Sequence, residues 1–483
     1  MLLNASPVSG LGITVMPEWF QCEGIESVLD RLQAAGATAL ATSPYLMDIV
    51  AEGQGAREPP PDGDAGDVRP LDRALWGRRQ TWVRTAPSLT HDVSRYRGLR
   101  YQPSPQCALT EAQPRLIDDV IEAAARRGMA VYLQVMAASP PGYRVQFSSA
   151  IDDDLCIGPD FAAHPLRVDR NASLASPHVV DYGAALLAEL AHRYPGVHGF
   201  RIDWPEYPPY DLRSALFDFS PHAHGALRMQ GVEPSDYARL VLDRQQRWRL
   251  VARNAAVHGA SAVRDALRVA HWDDFFGEHG DGAPLWASKR SAVATMLRRY
   301  RAALDDVPGP RKTLEPQVFP APFTCFSGFD WSALTGSADA VGVKLYTMHW
   351  PMIARYWARD LVGSAETAHL DAVTAAMADF MGLCDGGMPD GRVLRYPPPE
   401  LPHPAGALAQ RHKIHLARAA AGDVPVITFA HAYGPADDVE HRLRIALDAG
   451  GPAVWINRYG YLSDDKLARV AMCMRMRQTA RLP

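Results

Sequence analysis

The sequence predicts an α/β fold of one kind, a single (β/α)8 TIM barrel over residues 1–483 with long loop insertions at its C-terminal face. Short apolar runs with strand character alternate with longer amphipathic stretches, the pattern of parallel βα units. The strand-like runs number eight, as a closed barrel requires. Most of them end in titratable or aromatic side chains, and the carboxyl ends of barrel strands are where such enzymes keep their chemistry.

Gly12-Ile13-Thr14-Val15 reads as strand one and Gly24 to Ala35 as a helix, with Ile25, Val28, Leu29 and Leu32 on one face. Ala37 to Thr42 reads as strand two. The stretch from Glu52 to about Pro105 is rich in Pro, Gly and Asp, including Pro59-Pro60-Pro61 and Asp62-Gly63-Asp64, and reads as a loop insertion over the barrel mouth. Its Trp76, Trp82, Tyr96 and Tyr101 imply that it folds down onto something. Leu116 to Arg127 is helical, Ala130 to Val135 is strand three, Asp181 to Tyr194 is helical, and Val197 to Asp203 is strand four. A helical insertion spans about 211–305, with its main block from Pro234 to Leu304 broken near Trp272 to Gly282. Lys312 to Val318, Ala340 to Tyr346, Val424 to Ala430 and Ala453 to Asn457 complete the eight.

A net charge of −4 argues against a nucleic-acid partner held by bulk charge. Six cysteines without a CxxC pair give no disulfide framework and fit reduced thiols in a cytoplasmic protein. The amino terminus has no basic run before an apolar one, and no stretch approaches 18 apolar residues, so neither a secretory leader nor a membrane partner is expected. No Walker loop, no GxGxxG after a strand and no GxSxG elbow is present, so no cofactor is expected. Oligomeric state stays open.

Strand four carries the most chemistry. Arg201 and Asp203 are two apart and share a face, while Phe200 and Ile202 point to the helices. Arg201 beside Asp203 would keep that carboxylate charged, as a nucleophile or oxocarbenium stabiliser requires. Glu206, in the loop beyond, is a candidate proton donor or an exposed loop residue. Glu315 sits between Leu314 and Pro316 at strand five, where desolvation would raise its pKa and suit it to general acid work, unless it pairs with Lys344 on the next strand. Around these catalytic candidates, Asp203, Glu315 and Glu206, the strand ends bring Glu18, Trp19, Tyr45, Asp48, Arg201, Trp204, Tyr207, Lys344, Tyr346, His349, Trp350, His431, Tyr433 and Trp455 as candidate substrate-binding residues. Paired carboxylates among aromatic rings are the minimum for glycoside hydrolysis, since sugars stack their C–H faces on rings. His222-Ala223-His224 begins a metal-site pattern but lies well past strand four, and no metal is expected.

Gly199-Phe200-Arg201-Ile202-Asp203 resembles the strand-four motif of α-amylase-type glycosidases. The resemblance implies Asp203 as nucleophile and Glu315 as acid/base. The Asn-His-Asp pattern that family carries after strand seven is replaced here by Ala430-His431-Ala432-Tyr433, and its strand-three signature by Ala137-Ala138-Ser139-Pro140. Leu174 to Pro177, Asp181-Tyr182, Gly199 to Trp204 and Tyr207 to Tyr210 resemble a loose group of bacterial glycoside-hydrolase-like barrels over residues 1–260, which implies a carbohydrate substrate. Two other readings stand beside a glycosidase or transglycosidase. One is a sugar-binding barrel without hydrolysis. The other is a metal-dependent hydrolase or isomerase using His349, His431 and Glu315.

Overall fold

The barrel strands are β1 (Gly10–Thr14), β2 (Ala37–Thr42), β6 (Ala130–Met136), β7 (Gly199–Asp203), β8 (Thr313–Val318), β9 (Val341–Leu345), β10 (Val426–His431) and β11 (Ala453–Asn457). In this computed structural model they pair in parallel, each with the next in that order, and β11 returns to β1 to close the ring. Residues 9–61, 69–144, 147, 151–166, 170–363 and 367–479 are described, so the Asp62-Gly63-Asp64 run lies outside the described residues. Strands such as β10, VITFAH, are buried along their whole length. That suits parallel strands covered by helices on one face and by the barrel interior on the other.

The long insertion between β7 and β8 is helical, and it is interrupted within the expected stretch, at residues 277–282, and at a second place that was not expected. The chain leaves the helix Pro234–Ala256 at Val257 to Gly259, and Trp272–Phe276 forms a short helix of its own. Apolar packing explains that helix. Trp272 lies 4.9 Å from Trp248 and 5.4 Å from Phe380 between ring centroids, so its turn is held by a buried ring cluster.

The Pro- and Gly-rich insertion holds more than loop. Ser43 to Asp48, read from sequence as the end of strand two, instead enters a separate strand, β3 (Tyr45–Ile49), set off by Ser43-Pro44. With β4 (Ala56–Glu58) and β5 (Thr81–Pro87) it makes an antiparallel side sheet in the order β3–β5–β4. The tyrosines of this insertion fold down as expected, though not onto the mouth. Tyr96 and Tyr101 pack on Tyr182 of the helix Pro177–Arg193, and the Tyr96 hydroxyl bonds Glu189.

Inside the barrel, register fixes depth. Arg201 lies level with Glu315, and Asp203 lies level with Gln317 one pleat nearer the mouth. Tyr132, Phe429 and Trp455, all buried, pack together in the barrel interior. The upper level opens toward the loops that follow the strands.

Candidate active site

Asp203 is the last residue of β7 and keeps 17% of its side chain exposed. Its Oδ1 lies 2.7 Å from Nζ of Lys344 on β9 and accepts from the Trp204 amide at 3.0 Å. Its Oδ2 accepts from the Gln134 side chain on β6 at 3.2 Å. The amide contact exists because Trp204 turns to φ 53, a left-handed conformation that a tryptophan adopts only under local constraint.

The ion pairs are exchanged relative to the sequence expectation. Arg201 does not serve Asp203. Its Nε lies 3.7 Å from Glu315, and its guanidinium bonds the side-chain oxygen of Gln317 at 2.5 and 2.8 Å when that amide is oriented to accept. Lys344, expected beside Glu315, pairs with Asp203 instead. For Arg201 and Glu315 the reason is register: they fall level on the adjacent strands β7 and β8, about 4.8 Å apart, whereas residues two apart along one strand are separated by roughly 6.6 Å. Asp203 and Lys344 instead meet from β7 and β9, which have β8 between them.

Glu315 therefore differs from its expected place at the mouth. It is 1% exposed, one pleat below Asp203, beside a guanidinium that stacks 3.8 Å from the Trp455 ring centroid and 4.5 Å from that of Phe429. Burial pushes its carboxyl up to about 7, against the opposing pull of Arg201 and the Tyr132 hydroxyl. Burial likewise brings Arg201 down to about 10, with Glu315 opposing. The raised pKa matches expectation, but the position is interior.

Glu206 is neither exposed nor a free loop residue. At 1% exposure its Oε1 accepts from the Phe319 amide at 2.6 Å, and its Oε2 accepts from the Ser327 hydroxyl. Burial pushes it up to about 7, with Lys344 pulling down and Asp203 pushing up. Of the carboxyls considered, Asp203 is the one whose charge adds to the rise at Glu206.

A run of rings borders them. Trp204 lies 5.7 Å from Tyr210, Tyr210 lies 5.6 Å from His349, and His349 lies 5.7 Å from Tyr346. Tyr346 faces His431 at 5.2 Å and accepts from Asn457 at 2.9 Å. The run continues through Tyr461, Tyr433 and Tyr396, and the Arg69 guanidinium lies 5.2–5.4 Å from those three rings. Tyr346, Tyr396 and Asn457 are partly exposed. His431 accepts from the Tyr433 amide on Nδ1, and burial and the nearby cations hold its pKa well below the usual range.

The remaining candidates are placed elsewhere. Glu18 and Tyr45 belong to a buried network with Glu58, Arg144 and Arg458. Tyr45 donates to Glu18 at 2.8 Å, Arg144 lies 2.9 Å from Glu58, and Arg458 also pairs with Glu58. Burial raises Glu18, with Glu58 adding to it, while the two arginines overcome burial and lower Glu58. Trp19 packs on Tyr459, and Trp350 is fully buried beside Lys413. Trp455 lies under the mouth, Tyr207 is buried against Asp218, and Asp48 is exposed on the side sheet with Arg84. His222 pairs with Asp154, and His224 bonds the Phe219 carbonyl. Among the described residues, no group of three or more His, Cys, Asp or Glu could hold a metal ion.

Sequence reasoning missed Gln134 and Gln317 as groups at this level, although both share the inward parity of Arg201 and Asp203. It gave no signal for Ser327, Tyr396 or Arg69, which come from loops.

These features define the class as a closed parallel (β/α)8 barrel with a charged, ring-lined mouth at its carboxyl end. No family model matches the chain, and no curated protein matches it in sequence. Solved structures similar to it include a β-galactosidase from Marinomonas ef1, at 10% identity and a TM-score of 0.49, over 98% of this chain and 61% of that one. This chain thus spans less than two thirds of that protein's length. Others are the catalytic domain of a Paenibacillus polymyxa β-amylase, at 10% identity, a TM-score of 0.46 and coverage of 96% and 95%, and a Chromobacterium violaceum chitinase, at 10%, 0.39, and 96% and 98%.

Proposed function

We propose that this protein is a glycoside hydrolase or transglycosidase, with Asp203 facing the scissile bond and Glu206 as the second carboxyl. The observation that carries the reading is Asp203 itself. It is a partly exposed carboxylate at a barrel strand end, 2.7 Å from a buried ammonium, beside a run of rings of which Tyr346 is partly exposed and can offer a face to a sugar. Glu206 supports it as a carboxyl that still holds a proton near neutrality, since burial pushes it up to about 7. A charged and a protonated carboxyl at one site are the two groups that cleavage of a glycosidic bond needs.

Asp203→Asn and Glu206→Gln, assayed for release of reducing ends from an oligosaccharide panel, should each lower kcat/KM by about 10²-fold or more. The working form of Glu206 is the protonated one. Its pKa is raised, so wild-type kcat/KM should fall as pH rises through about 7. Wild-type turnover in both variants would refute the assignment.

One observation favours a second reading, a sugar-binding barrel without hydrolysis. Both oxygens of Glu206 are already engaged, by the Phe319 amide and the Ser327 hydroxyl. Calorimetric binding of an oligosaccharide by wild type without product would select it.

A further inference from the structure

The barrel mouth is almost wholly roofed by its own loops. The residues that end the eight strands, and the two that follow each of them, are buried with three exceptions, Asp203, Tyr346 and Asn457. These three are linked. Tyr346 lies two residues beyond Lys344, the partner of Asp203, and its hydroxyl accepts from the Asn457 side chain at 2.9 Å.

The same space is sealed from below. Arg201 lies one pleat under Asp203 on β7, and Trp455 lies one pleat under Asn457 on β11. The Arg201 guanidinium stacks 3.8 Å from the Trp455 ring centroid, with Phe429 at 4.5 Å, and all three residues are buried. The partly exposed groups above this layer also keep hydrogen-bonding capacity. Among the described residues, nothing accepts from the Tyr346 hydroxyl and nothing donates to Oδ1 of Asn457. Burial, with the Asp203 charge adding to it, keeps that hydroxyl protonated. A donor and an acceptor side by side complement the hydroxyls of a sugar.

We propose that the site is a closed-bottomed pocket for the terminal, nonreducing unit of a glycan, so that the protein frees one sugar at a time from chain ends. The inference deepens the glycosidase reading above and rests on it. A site that cuts within a chain lays several units along a groove, with accessible side chains on both sides of the scissile bond. Here the strand ends leave open only the surroundings of Asp203. The unit whose anomeric carbon meets Asp203 rests on Tyr346 and Asn457, over a packed layer, and has no room for a further unit on its own hydroxyls. Its one bond to the chain therefore points outward. In each turnover the bond from the anomeric carbon to the leaving oxygen breaks and that oxygen gains a proton. A water oxygen bonds the carbon, so one water is consumed for each sugar freed.

The test uses the full chain and a panel of linear oligosaccharides that differ in linkage, each carrying a fluorophore at its reducing end. The labelled chain should shorten by a single unit at a time, with free monosaccharide as the first product. Early labelled products that have lost several units at once, or early loss of the label itself, overturn the proposal. Tyr346→Phe keeps the ring and removes the hydroxyl, and should lower kcat/KM on the panel by about 10-fold or more. An unchanged kcat/KM there overturns the role of the pocket floor.

A second arm needs no turnover. The outermost hydroxyls of the nonreducing unit are closed with an ethylidene acetal, and binding to Asp203→Asn is followed by calorimetry. The free oligosaccharide should bind and the capped one should lose binding. Equal binding of both overturns the pocket, whether or not wild type turns the panel over. Loss of binding on capping, with no turnover by wild type, sinks the glycosidase reading and leaves a pocket that holds chain ends. Neither binding nor turnover sinks both.

Discussion

Glu315 shows what a single buried carboxyl costs. Its ordinary pKa is 4.5, and burial pushes it up to about 7 in the folded chain. Below about 4.5 it is protonated in both states and costs nothing extra. Between about 4.5 and 7 the unfolded chain ionises first, so the folded state holds more protons and stability falls as pH rises. Above about 7 the folded barrel carries the full penalty, on the order of 3 kcal/mol. Glu315→Gln removes the titration while keeping the shape. In urea unfolding, the variant should lose less stability than wild type between pH 5 and pH 8, where Glu206 continues to contribute its own loss. An identical pH profile in wild type and variant would mean that Glu315 does not titrate as its burial implies. The residue scale also shows why the site was only partly legible. Sequence parity put Arg201 and Asp203 on one face correctly, and the apolar flanks of Glu315 forecast its raised pKa. The choice of ion-pair partner depends on which residues meet inside the barrel, level on neighbouring strands for Arg201 and Glu315 and across β8 for Asp203 and Lys344, and spacing along one strand does not carry that information.

At the scale of elements, the barrel depends on close approaches that no periodicity announces. Gly12 lies in β1 opposite Trp455, and a Cβ there would meet the indole ring at 2.3–2.5 Å. Trp455 cannot easily give way, because Tyr132 and the Arg201 guanidinium pack on it. Gly12→Ala should therefore destabilise the barrel by about 2 kcal/mol or more, visible as a lower Tm and a lower urea midpoint. A wild-type Tm would show that the indole has room to move. The strands themselves were readable because each is a short apolar run bounded by turn residues. Ala37–Thr42 and Ala453–Asn457 fall where the pattern puts them. The side sheet was not readable as such, because β3 follows β2 after only Ser43-Pro44, and β4 holds three residues. Runs that short carry too little alternation to separate a strand from a loop.

At the scale of the whole molecule, the closed ring of eight parallel strands brings residues far apart in sequence to one mouth. Asp203 and Lys344 come from two strands that are not neighbours, and Asn457, from a third, bonds Tyr346 just past the second; closure of the ring brings them together. The fold class was legible because alternation and strand count repeat along the chain. The loop-borne groups were not, since Ser327, Tyr396 and Arg69 reach the site through segments without periodicity. Among the described residues, no helix is long and apolar enough to cross a membrane.

The most direct measurement is a crystal structure of Asp203→Asn soaked with an oligosaccharide, a variant that should trap the complex by stopping turnover. The expected result is a sugar lying against the partly exposed ring of Tyr346, with an anomeric carbon in contact with the residue 203 side chain. A sugar bound only elsewhere, or a glycosidic bond held far from residue 203, would contradict it.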